Sequence, residues 1–418
     1  MSSSPKKNPA WICSQIGARE HFAVPRALLQ GGKLAALYTD FWAGPIIRKL
    51  SAGKLRPLAA RFHADFNGQP SVVHSWNGRA LGWEFLLRQK FSGSRPGLNS
   101  YHGFIEVGRR FARCVRDDLK RRTDLNPDSI FFAYDTGALE AFEWCREQKL
   151  KCVLNQMDPN RVEVELVRAE ENQWPNWALQ NIQVPVEYFV RREQEWALAD
   201  RIVVNSEFSR QALLQQGVPA KKLFVIPLCY EVETSAPKSE VRFPTSGGQP
   251  LKVLFLGQVI LRKGIQYLLA AARQLERENI HFDVVGPVGI SQQAISSAPA
   301  NMTFHGRTGR DQAAAWYQRS HIFVLPTLSD GFAITQLEAM AHGLPVIATP
   351  NCGAVVSDGV DGFIVPARDA DALAQTFRRY LAQPELLRSQ SAAALIKARQ
   401  FTLDRLVTSL ANLEASFK

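Results

Sequence analysis

Residues 326–345 read Pro-Thr-Leu-Ser-Asp-Gly-Phe-Ala-Ile-Thr-Gln-Leu-Glu-Ala-Met-Ala-His-Gly-Leu-Pro. Ala333 to His342 holds Leu337, Ala339, Met340 and Ala341 with no interior Gly or Pro, so a helix is expected there. Gly343 stops it and Pro345 follows. The flanking runs, His321 to Leu325 and Leu344 to Ala348, are short, apolar and partly β-branched, and read as strands. Strand, acidic loop, helix and strand form a βαβ crossover of a parallel sheet, where ligands bind beyond the carboxyl ends of the strands. Asp330 lies before the helix and Glu338 eight residues on, a rise of roughly 12 Å along a helix. Between them the bare N–H groups of a helix start attract anions. A ligand with a polar group at each end and a diphosphate between them suits this segment.

Working outward, the alternation continues in both directions. Strands are expected at Ala10 to Ile16, Leu34 to Tyr38, Ser71 to Ser75, Ile130 to Tyr134, Lys151 to Leu154, Arg201 to Asn205 and Leu223 to Ile226. Helices are expected at Val24 to Gln30, after Asp135-Thr136-Gly137 through Glu147, and from an N-cap at Ser206 through Gln216. Residues 231–250, rich in Ser, Pro, Thr and Gly, have the composition of a linker. A second series begins at Lys252 to Gly257. It runs through a helix at Gly264 to Glu276, strands at Phe282 to Val285 and Met302 to His305, and a helix at Asp311 to Gln318. Leu403, Leu406, Leu410 and Leu413 then form an apolar stripe in a final helix, Phe401 to Phe417. The fold class is α/β, with two doubly wound domains and a cleft between them.

A chain of 418 residues with 46% apolar content fits two soluble domains. No apolar run approaches the length of a membrane helix. The first ten residues carry charge but no apolar core, so no signal peptide is expected. The six cysteines are scattered, which reads as free thiols. Charge is uneven. The net is +11, yet residues 1–122 alone carry 21 Lys/Arg against 7 Asp/Glu, so the remainder is net acidic. Two basic runs stand out, from Ile46 to Arg61 and from Arg109 to Arg122. They read either as an anionic membrane surface contact or as solvated helix faces over a core. No helix-turn-helix, zinc-finger or RRM pattern accompanies them, so nucleic acid is not expected as a partner.

Gly257-Gln258-Val259-Ile260-Leu261-Arg262-Lys263-Gly264 leaves a strand and opens a helix. A lysine there reaches a phosphate. Together with the 330–338 segment and with Ala199-Asp200-Arg201-Ile202-Val203-Val204-Asn205-Ser206-Glu207-Phe208, this chain resembles glycosyltransferase family 4, retaining enzymes of the GT-B fold. The resemblance is strongest over residues 195–370. It implies an acceptor-binding domain at 1–230, a linker at 231–250, a nucleotide-sugar domain at 251–396 and a helix at 397–418 crossing back to the first domain.

The resemblance also implies site residues. Asp330 and Glu338 match the family's paired acids. Glu338 would take the ribose hydroxyls. Asp330 would take the donor sugar, beside the N–H groups of Gly331, Phe332 and Ala333. Ile334 and Thr335 would meet the diphosphate, and Lys263 matches the phosphate-binding lysine. The family's arginine position holds Gln258, which leaves Arg262 as the neighbouring cation. Asp330 stands where the family usually has Glu. Gly17 matches a glycine of the first loop, and Arg307 lies in the base-reading loop. Asp135 and Asp158 end candidate strands and either approach the reacting carbon or cap a turn. His74 and His102 read as surface or packed histidines.

The expected function is transfer of a sugar from a UDP- or GDP-sugar to an acceptor hydroxyl with retention, in polysaccharide or glycolipid synthesis. The acceptor would be a sugar, a lipid-linked or a small molecule. The expected location is the cytoplasm, at the inner membrane face if the basic half docks there. No histidine cluster has ligand spacing, so no cofactor or metal is expected. The alternatives are a nucleotide-sugar epimerase or hydrolase, or a non-catalytic sugar-nucleotide-binding subunit of the same fold.

Overall fold

The computed structural model describes residues 10–45, 47, 58, 60–90, 96–179, 183–231 and 248–417. Seven strands, β1 (Trp11–Gln15), β2 (Leu34–Thr39), β3 (Val73–Ser75), β4 (Ile130–Tyr134), β5 (Lys151–Gln156), β6 (Arg201–Val204) and β7 (Leu223–Val225), form one sheet. Its order is β3-β2-β1-β4-β5-β6-β7, with every pairing parallel. Six more, β8 (Leu251–Leu256), β9 (Ile280–Val285), β10 (Met302–Gly306), β11 (Ile322–Leu325), β12 (Val346–Ala348) and β13 (Gly362–Ile364), form a second parallel sheet in the order β10-β9-β8-β11-β12-β13. The short β13, paired from Val346 to Gly362, has no apolar run long enough to announce it.

Both faces of each sheet are buried, which is why the strands read as continuous apolar runs rather than alternating ones. In the first sheet Ile12, Phe131 and Leu154 point to one core. Trp11, Cys13, Phe132 and Val153 point to the other. Helix α1 (Ala23–Gln30) covers the second face. Helices α2 (Asn77–Lys90), α3 (Pro96–Leu119), α4 (Leu139–Glu147), α5 (Arg161–Gln173), α6 (Val186–Leu198) and α7 (Glu207–Gln215) complete this half. Ser206 caps α7, accepting from Ser209 N–H at 3.1 Å. The second half adds α8 (Ile265–Gln274), α9 (Gln292–Ser296), α10 (Arg310–Gln318), α11 (Thr335–Ala341), α12 (Ala370–Ala382) and α13 (Pro384–Ala398).

The last helix, α14 (Leu403–Ala415), returns to the first sheet. Leu406, Leu410 and Leu413 are buried in the core of β1 and α1. Glu414 accepts from Trp11 Nε1 at 2.8 Å and from Lys33 Nζ at 2.9 Å. The leucine stripe is therefore a docking face onto the amino-terminal sheet.

Helix α5 is the other bridge, and sequence periodicity did not single it out. Val164 packs with Ile105, Val184 and Phe189 of the first half. Beyond them Trp174 and Trp177 lie against the core of the second sheet, and Leu179 N–H donates to Gly289 O at 3.3 Å. Glu170, 0% exposed, accepts from Gln266 and Tyr267 at 2.8 Å each and from Arg368.

Most of the basic run from Ile46 to Arg61, and of the expected linker at 231–250, lies outside the described residues. In the second basic run, Phe111, Val115 and Leu119 are buried in the first core, and Arg109, Arg110, Arg116 and Arg122 pair with Glu187, Glu106, Asp117 and Asp124. Its apolar side is core, the solvated-face reading. No helix of the described residues is long and apolar enough to cross a membrane. The six cysteines are free.

Candidate active site

In each sheet the strand order reverses at one point, between β1 and β4 and between β8 and β11. Ligands of open parallel sheets bind beyond the strand ends at such points. The loop after β8 brings Lys263, and the loop after β11 brings Asp330. Gly264 locks the two loops together. Its φ is +76°, and a Cβ there would stand 1.8 Å from the carbonyl oxygen of Pro326. Only glycine allows that approach. Leu328 N–H donates to Arg262 O at 2.9 Å across the same seam.

Lys263 Nζ pairs with the Asp330 carboxylate. Both side chains are largely buried, 14% and 16% exposed. Burial alone would raise the Asp330 pKa. Lys263, Arg262 and the Phe332 N–H outweigh it and hold the carboxyl below its ordinary range. Arg262 also turns inward, where its Nη1 donates to Ser329 O at 2.8 Å and lies 3.5 Å from Glu163 Oε2. Gln258 and Arg307 are exposed at the ends of β8 and β10.

The helix after the acidic loop starts later than expected. Ala333 adopts φ +63° and belongs to the turn, so α11 is Thr335–Ala341 rather than Ala333 to His342. The cause is Gln336, fully buried, whose Nε2 donates to Phe332 O at 2.9 Å and Gly353 O at 3.3 Å. These bonds pin the turn that carries Gly331, Phe332 and Ala333. Phe332 is itself a core residue, its ring 6.1 Å from that of Phe401. Ile334 sits at the N-cap of α11 and Thr335 in its first turn. Glu338 is partly exposed and accepts from Tyr317 Oη at 2.8 Å.

Across the cleft, Gly331 almost touches the amino-terminal half, since a Cβ there would stand 2.2 Å from Met157 O. The next residue is Asp158. It shares the buried Arg192 with Asp135: Nη2 reaches Asp158 Oδ1 at 2.9 Å and also pairs with Asp135. Asp158 caps a turn through Asn160 N–H at 2.8 Å. Burial raises the Asp135 pKa, with Arg192 opposing it. The capping and pairing roles thus account for both residues, and Asp158, 33% exposed, is the more accessible. The Gly17 N–H donates to Asp40 Oδ1 at 2.8 Å, so this donor is already engaged within the amino-terminal half. His74 packs on the Tyr38 ring at 4.8 Å, and its Nδ1 lies 3.5 Å from Asp118. His102 lies on α3. No group of three metal-ligating side chains occurs among the described residues.

Sequence reasoning missed Glu163. It lies on α5, 166 residues from Ser329, whose Oγ donates to its Oε2 at 2.8 Å. The available signal was the seven-residue spacing of Glu163 and Glu170, two turns on one face of α5.

Solved structures share this architecture over almost the whole chain. Sucrose-phosphate synthase from Thermosynechococcus elongatus aligns with a TM-score of 0.62 at 17% identity, covering 98% of this chain and 99% of that one. Anabaena Alr3699/HepE, solved with UDP and glucose, aligns at 0.59 and 15% identity, covering 97% and 100%. This is the GT-B fold. Residues 250–383 match the family model described as glycosyl transferases group 1, and the second sheet lies within them. A D-inositol 3-phosphate glycosyltransferase of Streptomyces griseus is 30% identical over 178 residues, 38% of either chain. One of Geodermatophilus obscurus is 30% identical over 243 residues, 53% of either chain. The chain thus spans about half or less of these curated relatives.

Proposed function

We propose that this chain is a retaining glycosyltransferase of family 4, taking a sugar from a nucleoside diphosphate sugar to an acceptor hydroxyl. The observation that carries the reading is the pair Lys263–Asp330 at the β8/β11 switch point, inside the segment that matches glycosyl transferases group 1. HepE, of the same fold, was solved with UDP and glucose, which supports a sugar nucleotide as donor.

In this reading Glu338 takes the ribose hydroxyls and Asp330 the donor sugar, while Lys263 and Arg262 face the diphosphate. The bond between the sugar C1 and the diphosphate oxygen breaks as the acceptor oxygen bonds to C1 on the same face. The acceptor proton passes to the departing diphosphate, so no protein base is required. Fixed cations at the leaving group supply the main stabilisation. The basic excess of residues 1–122 suits an acceptor carrying phosphate, whether lipid-linked or small, and a pathway of polysaccharide or glycolipid synthesis.

The test is nucleoside diphosphate release from UDP-glucose and GDP-mannose, with candidate acceptors, followed by NMR of the product anomer. Acceptor-dependent release with a retained anomer is expected. Release without acceptor indicates a hydrolase, and binding without release indicates a non-catalytic subunit.

A further inference from the structure

The acidic cluster at the cleft contains carboxylates that the reaction above does not use, Glu163 among them. Glu163, 22% exposed, projects from α5 onto the donor loop. Its Oε2 accepts from Ser329 Oγ at 2.8 Å and faces Arg262 Nη1 at 3.5 Å. Arg262 and Asp330 face it from the second half, Asp158 from the end of β5, and Tyr101 from α3. Arg192 is shared between Asp158 and Asp135, and Lys263 pairs with Asp330. Glu163 is therefore balanced by Arg262 alone, through one long contact.

We propose that Glu163 is a positioning residue that holds Arg262 in the donor-free enzyme and takes up a proton when a nucleoside diphosphate sugar binds. This deepens the donor reading above and rests on it. The diphosphate brings two negative charges to a place whose cations are already matched by carboxylates. It draws Arg262 away from Glu163. An unpaired, mostly buried carboxylate is costly, and a proton is the cheapest relief. Glu163 is the carboxylate that accepts it. Burial already raises its pKa, and Asp158 and Asp330 add to that against Arg262. Lys263 and Arg262 hold the Asp330 pKa down. Neighbouring acids with pKa values pushed apart take different roles.

The sign follows from linkage. Glu163 has a higher pKa in the complex than in the free enzyme, so binding takes up a proton between the two values. Donor affinity is then greatest at low pH and falls by up to about tenfold per pH unit through that window. Sugar nucleotides are the right probe because their diphosphate, esterified at both ends, does not titrate near neutrality.

Calorimetric titration of UDP-glucose and GDP-mannose in two buffers of different ionisation enthalpy, from pH 5 to 8.5, counts the protons. The wild type should take up a proton over part of that range. Glu163→Gln should bind with no uptake and a flat affinity, and Glu163→Asp should restore the slope. Absence of uptake in the wild type across the range, or equal uptake in Glu163→Gln, overturns the proposal. So does failure of Glu163→Asp to restore the slope when thermal melts show both variants folded. If neither sugar nucleotide binds the wild type, the donor reading itself fails and takes this one with it.

Discussion

Gly331→Ala is the sharpest perturbation of the cleft, because it adds one methyl group and no charge. The new Cβ would stand 2.2 Å from Met157 O, where ordinary contact begins near 3.4 Å. One side must therefore retreat by about 1 Å. Neither is free to do so. Met157 follows β5, and Gln156 Nε2 holds the next carbonyl, that of Asp158, at 3.0 Å. On the other side Asp330 N–H donates to Asn351 O at 2.9 Å, and Gly353 N–H to Phe332 O at 3.0 Å. Overpacking of this kind costs about 1–3 kcal/mol of stability. The larger effect is on the reaction, since the shift separates the donor loop from the opposite wall. A misplacement of about 1 Å at a reacting centre costs on the order of 10²-fold in rate. Steady-state release of nucleoside diphosphate measures this, with thermal melts to check folding. A folded Gly331→Ala enzyme within threefold of wild-type turnover refutes the claim that the two halves meet here around the reaction.

Three further outcomes follow from the structure. Lys263→Ala strips Asp330 of its nearest cation and should cost about 3 kcal/mol at neutral pH. Asp330 has a depressed pKa, so the stability it gains from the pair is lost as pH falls. The deficit of the variant in denaturant melts should therefore shrink in acid; a deficit constant from pH 3 to 7 contradicts the pairing. Glu20, whose pKa burial pushes up to about 7, lends stability below its unfolded value that fades as pH rises to that point. Glu20→Gln should thus gain on wild type between pH 5 and 8, and parallel melting curves over that range would refute the assignment. Glu170→Ala breaks the buried clamp of α5 on Gln266, Tyr267 and Arg368 and should lower stability by about 3–5 kcal/mol. A loss under 1 kcal/mol would show that the two halves do not depend on it.

Where structure followed local sequence, it was readable. The strands are apolar runs because both sheet faces are covered, and their ends carry Lys263, Asp330 and Asp158. The leucine stripe of α14 named its own buried face. What was not legible arises from contacts between distant residues. Ala333 turns left-handed because Gln336 ties Phe332 to Gly353, and no propensity of alanine announces that. Arg262 faces inward because Ser329 O and Glu163 draw it there. The arginines of 109–122 suggested a surface function, but three apolar neighbours are core and four of the arginines have acidic partners.

The loop from Lys263 and the turn from Asp330 to Glu338 form the proposed sugar-nucleotide site. Calorimetric titration of UDP-glucose and GDP-mannose into wild type, Lys263→Ala and Glu338→Ala tests it most directly. One of the two should bind the wild type, and affinity should fall at least tenfold in each variant, both remaining folded by thermal melt. Undiminished binding by folded Glu338→Ala and Lys263→Ala would place the nucleotide elsewhere and contradict it.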